Sequence, residues 1–191
     1  QFSGISPFDN EGRARVSTGS QFGLIDRRGS FIVPPQFDWI DIDTNEFGET
    51  TYFTNGLTAA RSGDSWGFID PSGSWVINPQ FSAARRFGHG GLAPVQVGGH
   101  LDGVEGSSPS PRWGYADRNG RIVIQPQFGD AREFSEAGLA PVEMGDMWGY
   151  IDRAGVIRIN PQFAYAGPFV RVQSGWIADA AVSHRTAEGE I

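Results

Sequence analysis

Four aspartates occupy the same place in a repeated phrase, and they are the first side chains in this sequence that could do chemistry. They are Asp26, Asp70, Asp117 and Asp152. Carboxylates serve as general acids, general bases or metal ligands. However, each aspartate is followed three residues later by a glycine, and Asp before Gly is favoured by tight turns. We therefore expect these carboxylates to shape turns, one repeat apart in space, instead of converging on a catalytic site.

An acidic segment in the first half of the chain offers a second candidate chemistry, the binding of calcium. Residues 41–45 place two aspartates and an asparagine at the first three ligand positions of a calcium loop. The match then ends, because Glu46 stands where glycine is required and Tyr52 where the bidentate glutamate belongs. We favour a solvated acidic loop. The alternative, an irregular calcium site, would use Asp41, Asp43, Asn45 and Glu49.

The rest of the composition argues against catalysis. The chain has no cysteine, and all 15 of its Lys and Arg residues are arginine, which excludes thiolate nucleophiles and Schiff-base lysines. The three histidines, His89, His100 and His184, lack the spacing of zinc ligands. No Gly-x-Ser-x-Gly elbow is present. The sequence thus predicts a protein that is not an enzyme and that uses no cofactor.

The aspartates belong to a phrase of 16 residues that occurs four times, at 22–37, 66–81, 113–128 and 148–163. Each copy runs aromatic-Gly, two apolar residues, Asp, a turn with Gly, an apolar segment and Pro-Gln-Phe. In the fourth copy, the alternation at 138–144, the aromatic segment 148–152 and the apolar segment 156–159 predict three strands. Pro161 is expected to end the third strand, because proline lacks the amide that a ladder needs.

Repetition at a fixed period predicts an all-β fold, a tandem repeat of short antiparallel three-stranded meanders in a solenoid or propeller-like array. Large apolar residues recur at fixed positions and should form the core between units. One array spans residues 1–182, with units at about 5–55, 56–90, 91–137 and 138–169, a degenerate fifth at 170–182, and a polar tail at 183–191.

The phrase Trp-Gly-Tyr-Ile-Asp-x-x-Gly, with Gly-Leu-Ala-Pro-Val before it and Pro-Gln-Phe after it, resembles the WG-repeat family of bacterial proteins. The resemblance covers roughly residues 5–180, and the first copy departs from it with Phe22-Gly23, the third with Ala116. It implies a β-rich repeat module, often exported or joined to other domains, that binds something. The hairpin is also similar to cell-wall-binding repeats, which raises carbohydrate as a ligand.

We expect function to lie where the repetition fails, because long insertions in repeat proteins commonly carry binding. One insertion spans 38–55, and the other, rich in Gly, Ser and Pro, spans 98–112. The expected function is a non-catalytic scaffold or accessory subunit that docks a protein partner, and the alternative is binding of carbohydrate or cell wall through exposed aromatic rings. The contact candidates are Trp39, Tyr52, Phe53, His100 and Trp176.

Charge and hydropathy narrow the partners. The net charge of −7 opposes binding to a phosphate backbone, so nucleic acid is not expected. No apolar segment has the length of a transmembrane helix. The first residue is Gln1, which indicates a processed terminus or a fragment. We expect an extracytoplasmic protein, in the periplasm or at the cell surface, with a cytoplasmic location as the alternative.

Overall fold

The computed structural model describes residues 2–44, 49–98 and 111–182. Within these ranges the secondary structure consists of strands, turns and bends, with no helix. The strands form small antiparallel sheets of two to four strands. The all-β class predicted from the repeat is therefore confirmed for the described part of the chain.

Five sheets follow one another along the sequence. The first contains β1 (Gly4–Ile5), β2 (Ala14–Thr18), β3 (Gln21–Ile25) and β4 (Phe31–Phe37). The second contains β5 (Trp39–Ile40), β8 (Thr58–Ser62), β9 (Ser65–Ile69) and β10 (Trp75–Phe81), and a separate ribbon joins β6 (Asp43–Thr44) to β7 (Thr50–Thr51). The third contains β11 (Ala83–Ala84), β12 (Ala93–Val97), β13 (Arg112–Ala116) and β14 (Ile122–Phe128). The fourth contains β15 (Leu139–Met144), β16 (Met147–Asp152) and β17 (Ile157–Phe163), and the fifth contains β18 (Tyr165–Val172) and β19 (Gly175–Ala181).

Each of the first four sheets contains three long strands that are consecutive in its strand order, and the connector adds more than the sequence indicated. In the first three sheets it supplies a short strand, β1, β5 or β11, on the outer side of the first long strand. In the fourth sheet a single bridge between Ala131 and Val142 takes that place. The fifth sheet pairs only two strands among the described residues.

The last strand of each repeat continues through its proline, contrary to the expectation that Pro161 ends it. Strands β4, β10, β14 and β17 all include the Pro-Gln-Phe segment. In β10, Trp75 pairs with Ile69, Ile77 with Phe68, and Phe81 with Trp66, with a register shift between each pair. These bulges leave residues unpaired, so the proline needs no ladder donor.

The Gly that follows each repeat aromatic is required by this bulge. A Cβ on Gly114 would lie 2.4 Å from the carbonyl oxygen of Ile124 and 2.7 Å from the nitrogen of Pro126. The same approach recurs at the other three copies, at Gly23, Gly67 and Gly149. Because the obstructing atoms are backbone, no side-chain rotation relieves the overlap, and glycine is the residue that allows the last strand to cross.

Consecutive sheets pack face to face, and the core lies between them. Phe68 belongs to a buried cluster shared with the third sheet, and its neighbour Ile69 to a cluster shared with the first. Alternation along a strand thus supplies both faces of a sheet. The repeat tryptophans Trp113 and Trp148 are each 8% exposed, which confirms that they pack in the core.

The prediction that large apolar residues at fixed positions form the core is only partly correct for the position nine residues after each repeat aromatic. Trp75 and Ile122 pack against core clusters, whereas the equivalent Phe31 and Ile157 are exposed. The bulge places Phe31 opposite Ile25, whose side chain faces away from the second sheet. Phe31 therefore also points away from the second sheet, and its ring centroid lies 5.8 Å from that of Phe2. For the exposure of Ile157 the structure offers no comparable explanation.

Arginine and tyrosine side chains tie one sheet to the next. Arg85 lies 4.3 Å from the ring centroid of Trp113 and donates to the carbonyl oxygen of Ala131 at 2.5 Å. The buried hydroxyl of Tyr115 donates to the carbonyl oxygen of Arg132 at 2.8 Å, and burial raises the pKa of that hydroxyl. These contacts satisfy polar groups between stacked sheets, where an unpaired group would be costly.

The substitution Gly114→Ala tests the crossing of strands. The added methyl group must displace backbone atoms of Ile124 and Pro126, so we expect a loss of about 2–4 kcal/mol in the free energy of unfolding. Urea titration followed by tryptophan fluorescence measures it.

The matched control is Gly129→Ala in the same repeat. There the new methyl group meets only the carboxylate end of the Glu143 side chain, at 2.9 Å, which can rotate away, and we expect a change below about 1 kcal/mol. Equal stability of Gly114→Ala and the wild-type protein would show that the crossing does not require glycine.

Candidate functional site

The four repeat aspartates are held in turns, as their spacing predicts. The Oδ1 atom of Asp152 accepts from the amides of Ala154 at 2.9 Å and Val156 at 3.0 Å. Equivalent pairs of amides reach Asp26, Asp70 and Asp117. The turn glycine that follows has positive φ in every copy, 80° at Gly155. The carboxylates therefore serve the turns, each with one oxygen occupied by backbone amides.

Two of these turns show what hydrogen bonding does to a carboxylate. The hydroxyl of Ser72 and nearby amides lower the pKa of Asp70, and the amide of Val156, with Arg158, lowers the pKa of Asp152. Donors favour the charged form and thereby oppose the protonation that a general acid would need.

The first insertion divides between core and surface. Trp39 is 36% exposed, and its ring lies 5.2 Å from that of Phe22 and 4.3 Å from the guanidinium carbon of Arg15. Phe53 is half-buried, with the guanidinium of Arg13 4.7 Å from its ring centroid. Trp39 is therefore accessible to a partner, and Phe53 only in part.

Tyr52 does not lie on a contact surface, and the expectation that it does is wrong. Its side chain is 3% exposed. Its hydroxyl donates to the carbonyl oxygen of Pro7 at 3.0 Å, accepts from the amide of Arg15 at 2.9 Å and contacts the hydroxyl of Ser6. The tyrosine thus fastens the N-terminal segment to the first insertion. Sequence spacing could not show this, because the partners are remote in sequence.

Two of the calcium candidates, Asp41 and Asp43, interact with the guanidinium of Arg86. Burial raises the pKa of Asp41, although the amide of Ile42 and the guanidinium of Arg86 act to lower that pKa. Asp43 forms an ion pair with Arg86, and Glu49 is exposed. In the described ranges no group of three His, Asp or Glu side chains could hold a metal ion. Asn45, His100 and His184 lie outside the described residues, as does most of the second insertion.

A cavity of about 690 Å³ opens where successive repeats meet, and we call it the inter-repeat pocket. Its lining comes from the second to the fifth sheets, mostly from the connectors that precede each first long strand. The lining residues are Asp43, Thr51, Thr54, Asn55, Arg86, Phe87, Gly88, His89, Arg132, Glu133, Phe134, Ser135, Glu136, Pro168, Phe169, Val170, Arg171 and Trp176. Residues in or next to four successive sheets, the second to the fifth, therefore contribute to one concave site.

Hydrogen bonds between neighbouring connectors form the base of this pocket. The side-chain amide of Asn55 donates to the carbonyl oxygen of Gly88 at 3.3 Å, and the backbone amide of His89 donates to the carbonyl oxygen of Phe134 at 2.8 Å. A Cβ on Gly88 would lie 2.5 Å from the nitrogen of Phe134. The connectors are thus packed too closely for any residue but glycine at this point.

One wall of the pocket is an ion-pair network. Arg86 pairs with Asp43, and its Nε lies 3.6 Å from a carboxylate oxygen of Glu133. Both carboxylates are partly exposed. In this wall the positive charge is already neutralised by residues of the β6–β7 ribbon and of the connector that precedes β15.

Two other lining residues, Arg132 and Arg171, are cations with aromatic neighbours. The guanidinium carbon of Arg132 lies 4.8 Å from the ring centroid of Trp148 and 4.6 Å from that of Tyr165, and its Nη1 donates to the Tyr165 hydroxyl at 3.1 Å. Arg171 is exposed and lies directly across the β18–β19 ladder from Trp176, which is 40% exposed. Trp176 is the predicted contact residue that the structure places in the pocket.

Most of the pocket residues were not among the sequence-based candidates. A signal was present in the sequence. Phe is followed at once by a small or acidic residue and four positions later by Gly, and this pattern recurs at 8–12, 87–91 and 134–138. The amide of the final glycine bonds back in each case, at 3.0 Å from Gly138 to the carbonyl oxygen of Ser135. The pattern predicts a turn, whereas the meeting of successive turns depends on how the sheets stack.

The same small antiparallel sheet recurs along this chain, each time with the same strand register and the same Asp–Gly turn. These features define a tandem β-repeat protein. The model of the family described as WG containing repeat matches residues 22–64, 66–99, 113–148 and 148–177, and the chain belongs to that family. No curated protein matches the chain. In the described part of the chain, no helix has the length and apolar character needed to cross a membrane.

A solved structure described as the crystal structure of the eukaryotic initiation factor is similar at 13% sequence identity, with a TM-score of 0.46. The match covers 93% of this chain and 48% of the other, so this chain spans about half the length of that one. A likeness at this level carries no inference about fold or function.

Replacing Asp70 by asparagine tests how the turn carboxylates act. A lowered pKa in the folded state contributes stability above the unfolded value of about 3.9, and that contribution is lost as the pH falls through the folded value. We expect Asp70→Asn to be less stable than the wild-type protein at neutral pH, with the difference shrinking below about pH 4.

Urea unfolding at neutral and acid pH measures this difference. Asp64→Asn, at an exposed hairpin turn, is the control and should change stability little at either pH. A stability difference for Asp70→Asn that stays constant with pH would contradict the role of the charged carboxylate.

Proposed function

We propose that this protein is a non-catalytic binding module that docks a protein partner, with the inter-repeat pocket receiving a segment of that partner. The observation that supports this most is the convergence of segments from four successive sheets on one cavity of about 690 Å³. That volume lies in the range of about 300–1,000 Å³ typical of ligand sites. A site assembled from repeats is also the usual way in which such arrays bind.

The proposal includes the shape of the array. Each unit is a three-stranded meander with a connector, and we place the units in a curved, propeller-like order around the pocket. Supporting this, equivalent connectors line a single cavity, whereas those of a straight solenoid would line an open groove. A solenoid with strong curvature is the alternative.

Binding is a better account of the pocket than catalysis. Two of its three carboxylates, Asp43 and Glu133, are engaged by Arg86, so neither is poised as a free acid or base. The repeat aspartates are engaged by turn amides. A mixture of aromatic surface and charged groups is typical of surfaces that recognise proteins.

Carbohydrate binding is the second candidate, and the exposed ring of Trp176 at the pocket favours it. Flat aromatic faces pack on the apolar faces of sugars. If this function holds, insoluble cell-wall glycans should retain the wild-type protein and release the Trp176→Ala variant.

We place the module outside the cytoplasm, as part of a larger assembly, because export is what the resemblance to the family implies. The second insertion is a further part of the proposed contact surface. Deletion of residues 99–111 should then abolish partner capture while leaving the thermal transition nearly intact.

Photocrosslinking tests the docking of a protein at the pocket. Benzoylphenylalanine replaces Trp176 or His89, both exposed in the pocket, in the full chain expressed in its own cells. We expect both positions to yield the same crosslinked chain on mass spectrometry.

The matched control replaces Val123, which is 48% exposed and lies outside the pocket. It should yield no crosslink to that chain. Crosslinks that do not depend on the position, or none at either pocket position, would contradict docking there.

A further inference from the structure

We propose that the inter-repeat pocket selects a peptide segment in which an acidic side chain neighbours an apolar one. The acidic group would bind at Arg132 and Arg171, and the apolar group against Trp176 and Phe169. This inference rests on the proposed function and names the chemistry of the segment that the pocket receives.

The charges of the pocket are distributed unevenly over its lining. Arg86 is neutralised by Asp43 and Glu133. By contrast, among the described residues no carboxylate pairs with Arg132 or Arg171. Cations without a carboxylate inside a concave site attract an anionic ligand group, and charge-assisted hydrogen bonds are the strong ones.

Arg132 is held ready for such a ligand. Its guanidinium carbon lies within 4.8 Å of the ring centroids of both Trp148 and Tyr165, and the described hydrogen bonds use one of its N–H groups, on the Tyr165 hydroxyl. Guanidinium carries five N–H donors, so donors remain for a carboxylate. Because the rings already restrict the side chain, binding costs less conformational entropy than it would at a free arginine.

The apolar part of the preference comes from the fifth sheet. Trp176 is the cross-strand partner of Arg171, and Phe169, two residues before Arg171, shares that face of the ladder. Phe169 is half-buried beside them. Apolar surface therefore lies next to the unpaired cations within one lining, which matches a ligand whose acidic and apolar groups are adjacent.

Two features restrict the ligand to a short acidic segment. The chain has a net charge of −7, which repels long polyanions such as nucleic acid. Glu136 also lines the pocket and is exposed, so a run of acidic residues would meet a like charge. An isolated acidic side chain with apolar neighbours avoids both.

Fluorescence polarisation with defined peptides tests the proposal on the full chain. The probe is fluorescein-labelled Leu-Ser-Phe-Glu-Leu-Ser amide, with one acidic residue between apolar ones, and the matched probe carries Gln in place of Glu. We expect the acidic peptide to bind the wild-type protein about tenfold more tightly than the amide peptide, as one or two charge-assisted hydrogen bonds would give.

Variants of single residues test whether the acidic peptide binds in the pocket. Arg171→Gln should weaken binding of the acidic peptide about tenfold and leave binding of the amide peptide unchanged. Arg171→Lys, which keeps the charge, should bind the acidic peptide with an affinity between those of Arg171→Gln and the wild-type protein. Glu136→Gln should tighten the acidic peptide, and Arg28→Gln, at an exposed turn outside the pocket, should change nothing. Circular dichroism confirms that each variant is folded.

The outcomes separate this inference from the proposed function. Equal binding of the acidic and amide peptides would overturn the acidic preference, while a pocket-dependent crosslink would still support protein docking. An oligomer of galacturonic acid that binds through Arg171 when neither peptide does would overturn both in favour of carbohydrate. Loss of acidic peptide binding in Arg28→Gln would place the site outside the pocket.

Discussion

The whole architecture depends on one backbone contact, the crossing of the last strand of each repeat over the glycine that follows its aromatic residue. At Gly67 a Cβ would lie 2.3 Å from the carbonyl oxygen of Ile77 and 2.8 Å from the nitrogen of Pro79. The crossing accommodates the proline without a ladder donor and introduces two register shifts into the strand. The aromatic and the final phenylalanine are then brought into register, as with Trp66 and Phe81.

The register shifts also decide how the sheets stack. Because of them, Trp75 lies opposite Ile69 and Ile77 lies opposite Phe68, so residues two apart in one strand serve opposite faces. Trp75 packs toward the first sheet and Ile77 toward the third. A strand of seven residues thus contributes to two interfaces, and each sheet is covered by its neighbours. The connectors between sheets meet as a consequence of this stacking, and the inter-repeat pocket lies where they meet.

Much of the fold was predictable because its causes are local. The turn aspartates, the positions of the long strands and the burial of Trp113 and Trp148 all follow from turn chemistry and apolar spacing within about 16 residues. The continuation of β17 through Pro161 was not predictable in this way, because it depends on a bulge against a neighbouring strand. The exposure of Phe31 and the burial of Tyr52 likewise depend on partners outside the repeat phrase.

By itself, the sequence determined the repeat, the all-β class and the structural use of its most regular residues, since each of these rests on contacts within one unit. Only the tertiary structure decided which residues share a site. Asp43 lies in the β6–β7 ribbon, whereas Arg86 and Glu133 lie in the connectors that precede β12 and β15, and Trp176 in β19 lines the same pocket. No spacing along the chain encodes that meeting, because the distance between equivalent residues of successive repeats is set by how whole sheets pack.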